Sequence, residues 1–423
     1  MMIMRSNKFR IVIVVADGLG DRAVPELNGK TPLEVASKDN IDWLTSRGVT
    51  GLWDPIAPGV RPGSDTAHLA LFGIDPTENY PGRGPFEAIG AGAELEPGDV
   101  ALRGNFATVD KEFRVIDRRA GRYLPENKDL VKYLNENVGE IDGIKVRFYA
   151  ATEHRVAVVL KGRDLSPRIS DTDPHVTGVK VLYSKPLDNS YEARRTAEVI
   201  NKLTKIVHDL LKEHELNKKR VERGLPPANI ILLRGAGQMV KYPTFKERKF
   251  VIIDKALAIS ATAMIKGVCK LLGMEVVTPN GATGGVDTDV MAKAKTLIEY
   301  YNKDYDFIYM HVKGTDAASH DGRTDLKIRL IERIDLAMRY ILDHIDLDNT
   351  VVVFTGDHTT PITVRDHTGD PVPVTIYAPN ILPDDVNIFS ERSARKGGLG
   401  RIRREDLFNT LLDLANRREK FGA

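Results

Sequence analysis

Three short segments of the chain carry residue types and spacings that could do chemistry. In RPGSDTAH (Arg61–His68), Ser64 follows a Pro-Gly pair, is flanked by Asp65, and opens a segment that reads as a helix through Leu71. A hydroxyl at a helix start can face an anion held by the free N–H groups there; it can equally be a helix cap. The motif alone leaves both readings open. In KGTDAASHDG (Lys313–Gly322), Asp316 and His320 are four residues apart. In a helical turn that spacing sets both side chains on one face, as two ligands of one cation require, although a solvated or capping pair has the same pattern. In TGDHTTPITVRDHTGD, Asp357 and His358 are adjacent and His367 lies nine residues on. Neighbouring residues point different ways, so Asp357 and His358 reach one metal only from an irregular loop, which Gly356 and Pro361 permit.

With Asp17, these segments offer Asp316, Asp357, His320, His358, His367 and the Ser64 oxygen. Hard oxygen ligands mixed with imidazoles suit manganese, zinc or magnesium better than a thiolate-seeking metal. Two such cations roughly 3.5 to 4 Å apart activate an oxygen nucleophile and neutralise a transferring phosphoryl group. Serine needs help of that kind near neutral pH. A Ser-His-Asp hydrolase reading fits less well, because G-x-S-x-G is absent.

The elements that must position these residues read as an α/β fold. FRIVIVVADGLGD is a buried strand over Phe9–Ala16 ending at Asp17, and YDFIYMHVKGTD and NTVVVFTGDH repeat that grammar. Near-continuous Val/Ile runs are expected of parallel strands covered on both faces. Leu326–Ile345 has helical spacing, with Ile328, Ile331, Ile334, Met338 and Ile341 on one face. If the three strands run the same way, their loops bring Asp17, Asp316 and Asp357 to one edge of a mostly parallel sheet sandwiched by helices.

The middle of the chain differs. From about Asn79 to Glu96 it is rich in Gly, Pro and Glu, as a linker or long loop would be. Strand-like pieces follow in VRFYAATEHRVAVVLKG, then the polar loop SDTDPH, a long helix around Tyr191–Leu216, and a strand in NIILLRG. YPTF (Tyr242–Phe245) resembles a second linker. The pattern implies a discontinuous outer domain of residues 1–80 and 245–423 carrying a smaller α+β insert, residues 81–244.

Composition narrows the function classes. The chain has 423 residues, and its 61 basic side chains nearly cancel 59 acidic ones, so a nucleic-acid partner is not expected and anions must be captured by local clusters. One cysteine, Cys269, excludes an intramolecular disulfide and Cys-based zinc sites and fits a reducing compartment. No run approaches the roughly 20 apolar residues of a membrane span, and the short run Ile11–Ala16 is broken at Asp17, unlike a signal peptide. A cytoplasmic location without membrane contact is expected.

The ordered set of site residues resembles the alkaline phosphatase superfamily. The strings VVADGLGD, PGSDTAHLALFGIDP, GRGPFEAIGAG, DRRAGR and HVKGTDAASHDG resemble the archaeal type of cofactor-independent phosphoglycerate mutase, and they run along nearly the whole chain. The resemblance implies interconversion of 3-phosphoglycerate and 2-phosphoglycerate without 2,3-bisphosphoglycerate, in glycolysis and gluconeogenesis, through a phosphoserine on Ser64. It implies two divalent ions (manganese, zinc, cobalt or magnesium), one bound by Asp17, Ser64, Asp357 and His358, the other by Asp316, His320 and His367. His68 also matches a family histidine, and no ligand role is assigned to it. An insert that excludes water would keep the phosphoserine from hydrolysis.

For a carboxylate and a phosphate the insert needs cations, and arginine forks suit both. Arg118, Arg119 and Arg122 in DRRAGR, Arg155 beside His154, Arg234 in LLRGAG, and His175 with Asp171 and Asp173 in SDTDPH are the candidates; each arginine is equally readable as a surface ion pair. GRGPFEAIGAG and NGATGG lack the Lys-Ser/Thr ending of a P-loop and read as tight turns or hinges. The same core motifs would serve a metal-dependent phosphatase, a phosphodiesterase or another phosphomutase. A non-catalytic binding protein is disfavoured because all seven expected metal and nucleophile positions are occupied.

Overall fold

The computed structural model describes residues 8–78 and 80–422. Contacts divide the chain into two compact units, one drawn from Met1–Asn79, Tyr242–Thr262 and Val268–Ala423, the other from Tyr80–Lys241 and Ala263–Gly267.

The first unit is built on an eight-stranded sheet. Its order is Glu275–Val277, Ala256–Ile259, Phe307–Val312, Arg10–Ala16, Thr350–Thr355, Val372–Tyr377, Val49–Asp54 and Gly400–Arg403. Val372–Tyr377 is antiparallel to both neighbours and all other adjacent pairs are parallel, which is the mostly parallel α/β sheet expected. Ile11 to Ala16 are fully buried, so the unbroken Val/Ile run reflects cover on both faces. The register pairs Ala16 with Val312 and Val15 with Thr355. The chain therefore leaves three adjacent strands at nearly one level, and the segments starting at Asp17, Lys313 and Gly356 emerge at one sheet edge.

The helix Thr324–His344 buries Ile331, Ile334, Met338 and Ile341 against the sheet core, and Ile328 packs at its margin. Helix Val290–Tyr301 starts at Asp289, whose carboxylate accepts from Ala292 N.

The second unit holds an antiparallel sheet ordered Val115–Asp117, Val100–Val109, Arg155–Lys161, Ile144–Ala150 and Glu140–Ile141, with Ile230–Gln238 also paired to Val100–Val109. Helix Tyr191–Leu211 lays Ala197, Ile200, Leu203, Val207 and Leu211 into its core at helical spacing, capped by Ser190.

One local expectation fails, and the YPTF stretch joins the two units at a buried point. The Gly/Pro-rich stretch read as a linker contains the helix Arg83–Gly90; Asn79, where that stretch begins, lies outside the described residues. Pro85 sits in the first turn, where its missing N–H costs nothing, and a Cβ on Gly84 would stand 1.9 Å from the Ala101 carbonyl oxygen. Glycine there permits close packing on a strand and does not mark a hinge. In YPTF, Tyr242 and Phe245 are buried, and Phe245 stacks on Phe408 at 5.6 Å, so this stretch is anchored in the core. No helix among the described residues is long and apolar enough to cross a membrane.

Candidate functional site

Ser64 is the first residue of the helix Ser64–Leu71, and Gly63 occupies the cap position. The capping role left open by the sequence is thus not the one the side chain plays. Its Oγ lies 2.9 Å from His358 Nε2, and both residues are buried.

Around that pair the loops after three parallel strands converge. Asp17, Asp357 and His358 each offer one ligand atom within 4.8 Å of the others, and so do Asp316, His358 and His367. His358 is shared, where the sequence had assigned it to one group only. His320 flanks the second group, with Nε2 3.4 Å from Asp316 Oδ2.

The three imidazoles are oriented alike. Nδ1 of His320 is 2.8 Å from the Arg365 carbonyl, and Nδ1 of His367 is 2.8 Å from the Pro62 carbonyl. A carbonyl only accepts, so both Nδ1 atoms carry a proton and both Nε2 atoms face inward towards Asp316, whose carboxylate raises the His320 pKa to about 8. His358 Nδ1 meets Thr360 Oγ1 at 2.9 Å; that hydroxyl already donates to Asp316 Oδ1, so it accepts from His358. Its Nε2 then accepts from Ser64 and points towards Asp17 Oδ1 (3.4 Å) and Asp357 Oδ2 (3.2 Å). Fixing Nδ1 on an oxygen so that Nε2 faces inward is how metal-binding histidines are usually held.

The carboxylates are buried and unequal. Asp357 Oδ1 accepts from Gly18 N and His358 N, whereas Oδ2 is buried and accepts no hydrogen bond. Burial, and then repulsion from Asp17, push the Asp357 carboxyl well above its usual range. For Asp17 burial works in the same direction, but Lys313, the His311 hydrogen bond and His358 outweigh it and hold the group ionised. Asp316 is likewise held far down against burial by Lys313, His320 and His367. Lys313 Nζ stands 3.0 Å from Asp17 Oδ1 and 2.6 Å from Asp316 Oδ2; burial opposes its charge, and the aspartates more than restore it. Two ionised carboxylates, Asp17 and Asp316, share the Lys313 ammonium, and Asp357 stands beside them. The unpartnered Asp357 oxygen and the inward Nε2 atoms form a hard-oxygen and imidazole donor set that fits divalent cations of the manganese, zinc, cobalt or magnesium kind.

Gly18 allows this convergence. Its φ is +65°, and a Cβ there would stand 2.7 Å from Thr360 Oγ1 and 2.8 Å from Asp316 Oδ1.

Two neighbours, Lys313 and His311, escaped the sequence reading. Lys313 opens the string that supplied Asp316, and a lysine leaving a buried strand beside an aspartate was a usable signal. His311 Nε2 holds Asp17 Oδ2 at 2.8 Å and donates or accepts at Ser260 Oγ through Nδ1. An imidazole inside the fully buried strand Phe307–Val312 was the clue there. His68 bonds the Ser64 carbonyl and the Tyr309 hydroxyl and lies 3.6 Å from Asp357 Oδ2; burial, with His311 adding to it, lowers its pKa to about 3.

The second unit contains a cavity of about 730 Å³. Arg118, Arg119 and Arg122 line it, and Arg155, Arg234, His154 and His175 complete the wall expected from the sequence. Five arginines face two lining acids, Asp117 and Glu153, so the cavity is electropositive. Asp173, one of the aspartates of the polar loop, takes a two-pronged ion pair from Arg118 at 3.0 and 2.7 Å, with Arg234 Nε 3.8 Å away. Asp171 Oδ2 is 3.2 Å from His175 Nε2. Arg122, Glu153 and His175, all lining this cavity, adopt positive φ (70°, 57° and 63°), a backbone cost.

Residues 45–217 match the family model described as 2,3-bisphosphoglycerate-independent phosphoglycerate mutase. A protein of that description from Ignicoccus hospitalis is 57% identical over 421 residues, covering 99% of this chain and 100% of its own length. Another, from Saccharolobus solfataricus, is 56% identical over 418 residues with the same coverage. A Pyrococcus horikoshii protein of solved structure superposes with a TM-score of 0.82 at 39% identity, covering 98% of this chain and 100% of its own. The cofactor-independent phosphoglycerate mutase from Thermoplasma acidophilum does so with a TM-score of 0.69 at 36% identity, covering 96% and 100%.

Proposed function

The chain belongs to the 2,3-bisphosphoglycerate-independent phosphoglycerate mutases and is an isomerase, and we propose that it interconverts 3- and 2-phosphoglycerate through a phosphoserine on Ser64. The observation that carries this reading is the common orientation of His320, His358 and His367, each Nδ1 fixed on an oxygen and each Nε2 turned towards buried carboxylates beside the serine. Asp17, Ser64, Asp357 and His358 would hold one divalent ion, and Asp316, His320 and His367 the other. Such ions, when bound, lower the pKa of a coordinated hydroxyl and neutralise phosphoryl charge.

The remaining work belongs to the chain. Ser64 Oγ attacks phosphorus, the P–O bond to the glycerate breaks as P–Oγ forms, and the serine proton replaces the phosphoryl group on the departing oxygen. The other glycerate hydroxyl then attacks the phosphoserine and returns a proton to Oγ, so atoms and charge balance over the cycle. Lys313, between Asp17 and Asp316, keeps both carboxylates ionised and in place. The mutase outcome requires the glycerate to be retained, and the arginine cavity is the proposed source of that retention. Arg119, Arg122, Arg155 and Arg234 supply donors for a carboxylate or phosphate, while Arg118 is committed to Asp173 and the rings of His154 and His175 donate their N–H groups to the Arg122 carbonyl and Asp171.

The test is to strip metal from the protein, resupply manganese, cobalt, zinc or magnesium singly, and add 3-phosphoglycerate without bisphosphoglycerate. Appearance of 2-phosphoglycerate is expected. Inorganic phosphate as the sole product would overturn the retention step, and no product with any ion would overturn the metal assignment.

A further inference from the structure

We propose that Lys327, paired with Asp21, is a positioning residue that sets the spacing of the two loops carrying Asp17 and Asp357–His358. Lys327 lies on the helix Thr324–His344, touches none of the ligand residues, and is fully buried. Its three N–H donors are all used: Gly20 O at 3.1 Å, Asp21 Oδ2 at 2.9 Å and Thr360 O at 3.0 Å. Two of these acceptors belong to the loop after strand Arg10–Ala16 and one to the loop after Thr350–Thr355. A single ammonium thus ties the two loops together from behind.

Asp21 completes the clamp. Its carboxylate accepts from Ile362 N at 3.2 and 3.3 Å, so it grips the second loop directly, and its own N–H donates to Glu391 Oε1 at 2.9 Å. Thr360 N adds a bond to Gly20 O at 3.2 Å. From there the constraint reaches the site in one residue. The Thr360 carbonyl is held by Lys327, while its hydroxyl joins His358 Nδ1 to Asp316 Oδ1, both at 2.9 Å. Movement of the clamp would therefore turn the His358 ring and shift Asp316 together.

A fully buried ion pair is a weak source of net stability, because desolvation cancels much of its attraction. What it supplies here is geometry: a fixed charge and three directed bonds behind a point where both loops pass. The inference rests on the metal reading proposed above, and the experiment separates the two.

Manganese(II) alone is the probe, titrated calorimetrically into metal-free wild-type protein, Lys327→Met, and the double variant Lys327→Met/Asp21→Asn. The double variant removes both charges and so leaves no uncompensated buried ion. It is expected to keep the wild-type circular dichroism yet bind manganese roughly 10- to 100-fold more weakly, the usual penalty for losing support behind a ligand. Its kcat should fall with KM little changed. Manganese affinity within about twofold of wild type in the folded double variant would overturn the proposal; failure of the wild type itself to bind manganese would overturn the metal reading first. A second measurement uses wild-type protein only. After chelation, hydrogen exchange at Thr360 N and Ile362 N should stay protected, because the clamp and not the cations holds the loops. Loss of protection at both amides on chelation would sink the proposal whatever the variants do.

Discussion

Ser64 Oγ and His358 Nε2 are 2.9 Å apart although 294 residues separate them in the chain. With His358 Nδ1 committed to Thr360, the serine hydroxyl is the donor, and it is aimed into the Asp/His cluster and away from its own helix cap. Ser64→Ala should leave the circular dichroism and unfolding midpoint near wild type, since the hydroxyl caps nothing. Mutase turnover should drop by at least about a thousandfold, as when a nucleophile is removed. Acid-quenched wild-type enzyme with substrate should yield a phosphopeptide containing Ser64. Turnover within tenfold of wild type in the alanine variant would remove the serine from the pathway.

Lys313 is the only lysine or arginine among the described residues reported within ion-pair distance of both Asp17 and Asp316. Lys313→Met leaves two buried carboxylates facing each other without it. Breaking a buried pair in this way costs about 3–5 kcal/mol. The metal-free variant should therefore unfold at a clearly lower temperature than metal-free wild type, and saturating manganese should recover more of its midpoint than it adds to wild type. Equal metal-induced shifts in the two proteins would show that Lys313 does not share the carboxylates with the cations.

The sheet and its loops were legible because buried parallel strands write themselves as Val/Ile runs, and Asp17, Asp316 and Asp357 stand just beyond three of them. What spacing could not convey was register. That Ala16 lies opposite Val312 is a property of the folded sheet, and it is this level that puts His358 within reach of both Asp/His groups. Lys313 and His311 were passed over for a related reason: their importance lies in Asp17, which faces them from just past Arg10–Ala16, nearly 300 residues away. The arginines stood out by charge, but the sequence left each of them equally readable as a surface ion pair. Which of them is already satisfied was not legible, because Asp173 reaches Arg118 only after the polar loop folds back on the sheet. Helix Arg83–Gly90 was misread because glycine was taken as a breaker where it serves close packing against Ala101.

Arg155 and Arg118 should separate substrate capture from structure. Arg155 lines the cavity, and Glu87, whose charge it feels, also faces Arg103 and Arg83. Arg118 is held by both oxygens of Asp173. Arg155→Ala is expected to lower kcat/KM by roughly 10- to 100-fold through loss of a charged hydrogen bond to substrate, worth about 1.5–3 kcal/mol, with little effect on unfolding. Arg118→Ala should instead destabilise the protein, leaving Asp173 buried without its main partner. Steady-state kinetics and thermal unfolding of the two variants check the contrast, and the reverse pattern would exchange their roles.

His154 gives the second unit a pH dependence whose sign can be worked out. Burial first, then the nearby Arg155, Arg119 and Arg122 charges, lower its pKa from 6.5 to about 4, against a modest opposing hydrogen bond to the Arg122 carbonyl. The folded protein thus keeps the ring neutral where the unfolded chain would protonate it. Its contribution is fully present above about pH 6.5 and is lost as pH falls towards 4, because the unfolded state then binds the extra proton. The size is on the order of 3 kcal/mol at the low end of that window. His154→Gln, which keeps a side-chain N–H for the Arg122 carbonyl but cannot titrate, should show a flatter fall in unfolding midpoint between pH 6.5 and 4.5 than wild type. Parallel curves for the two proteins would mean that His154 takes up its proton in the folded state as readily as in the unfolded chain.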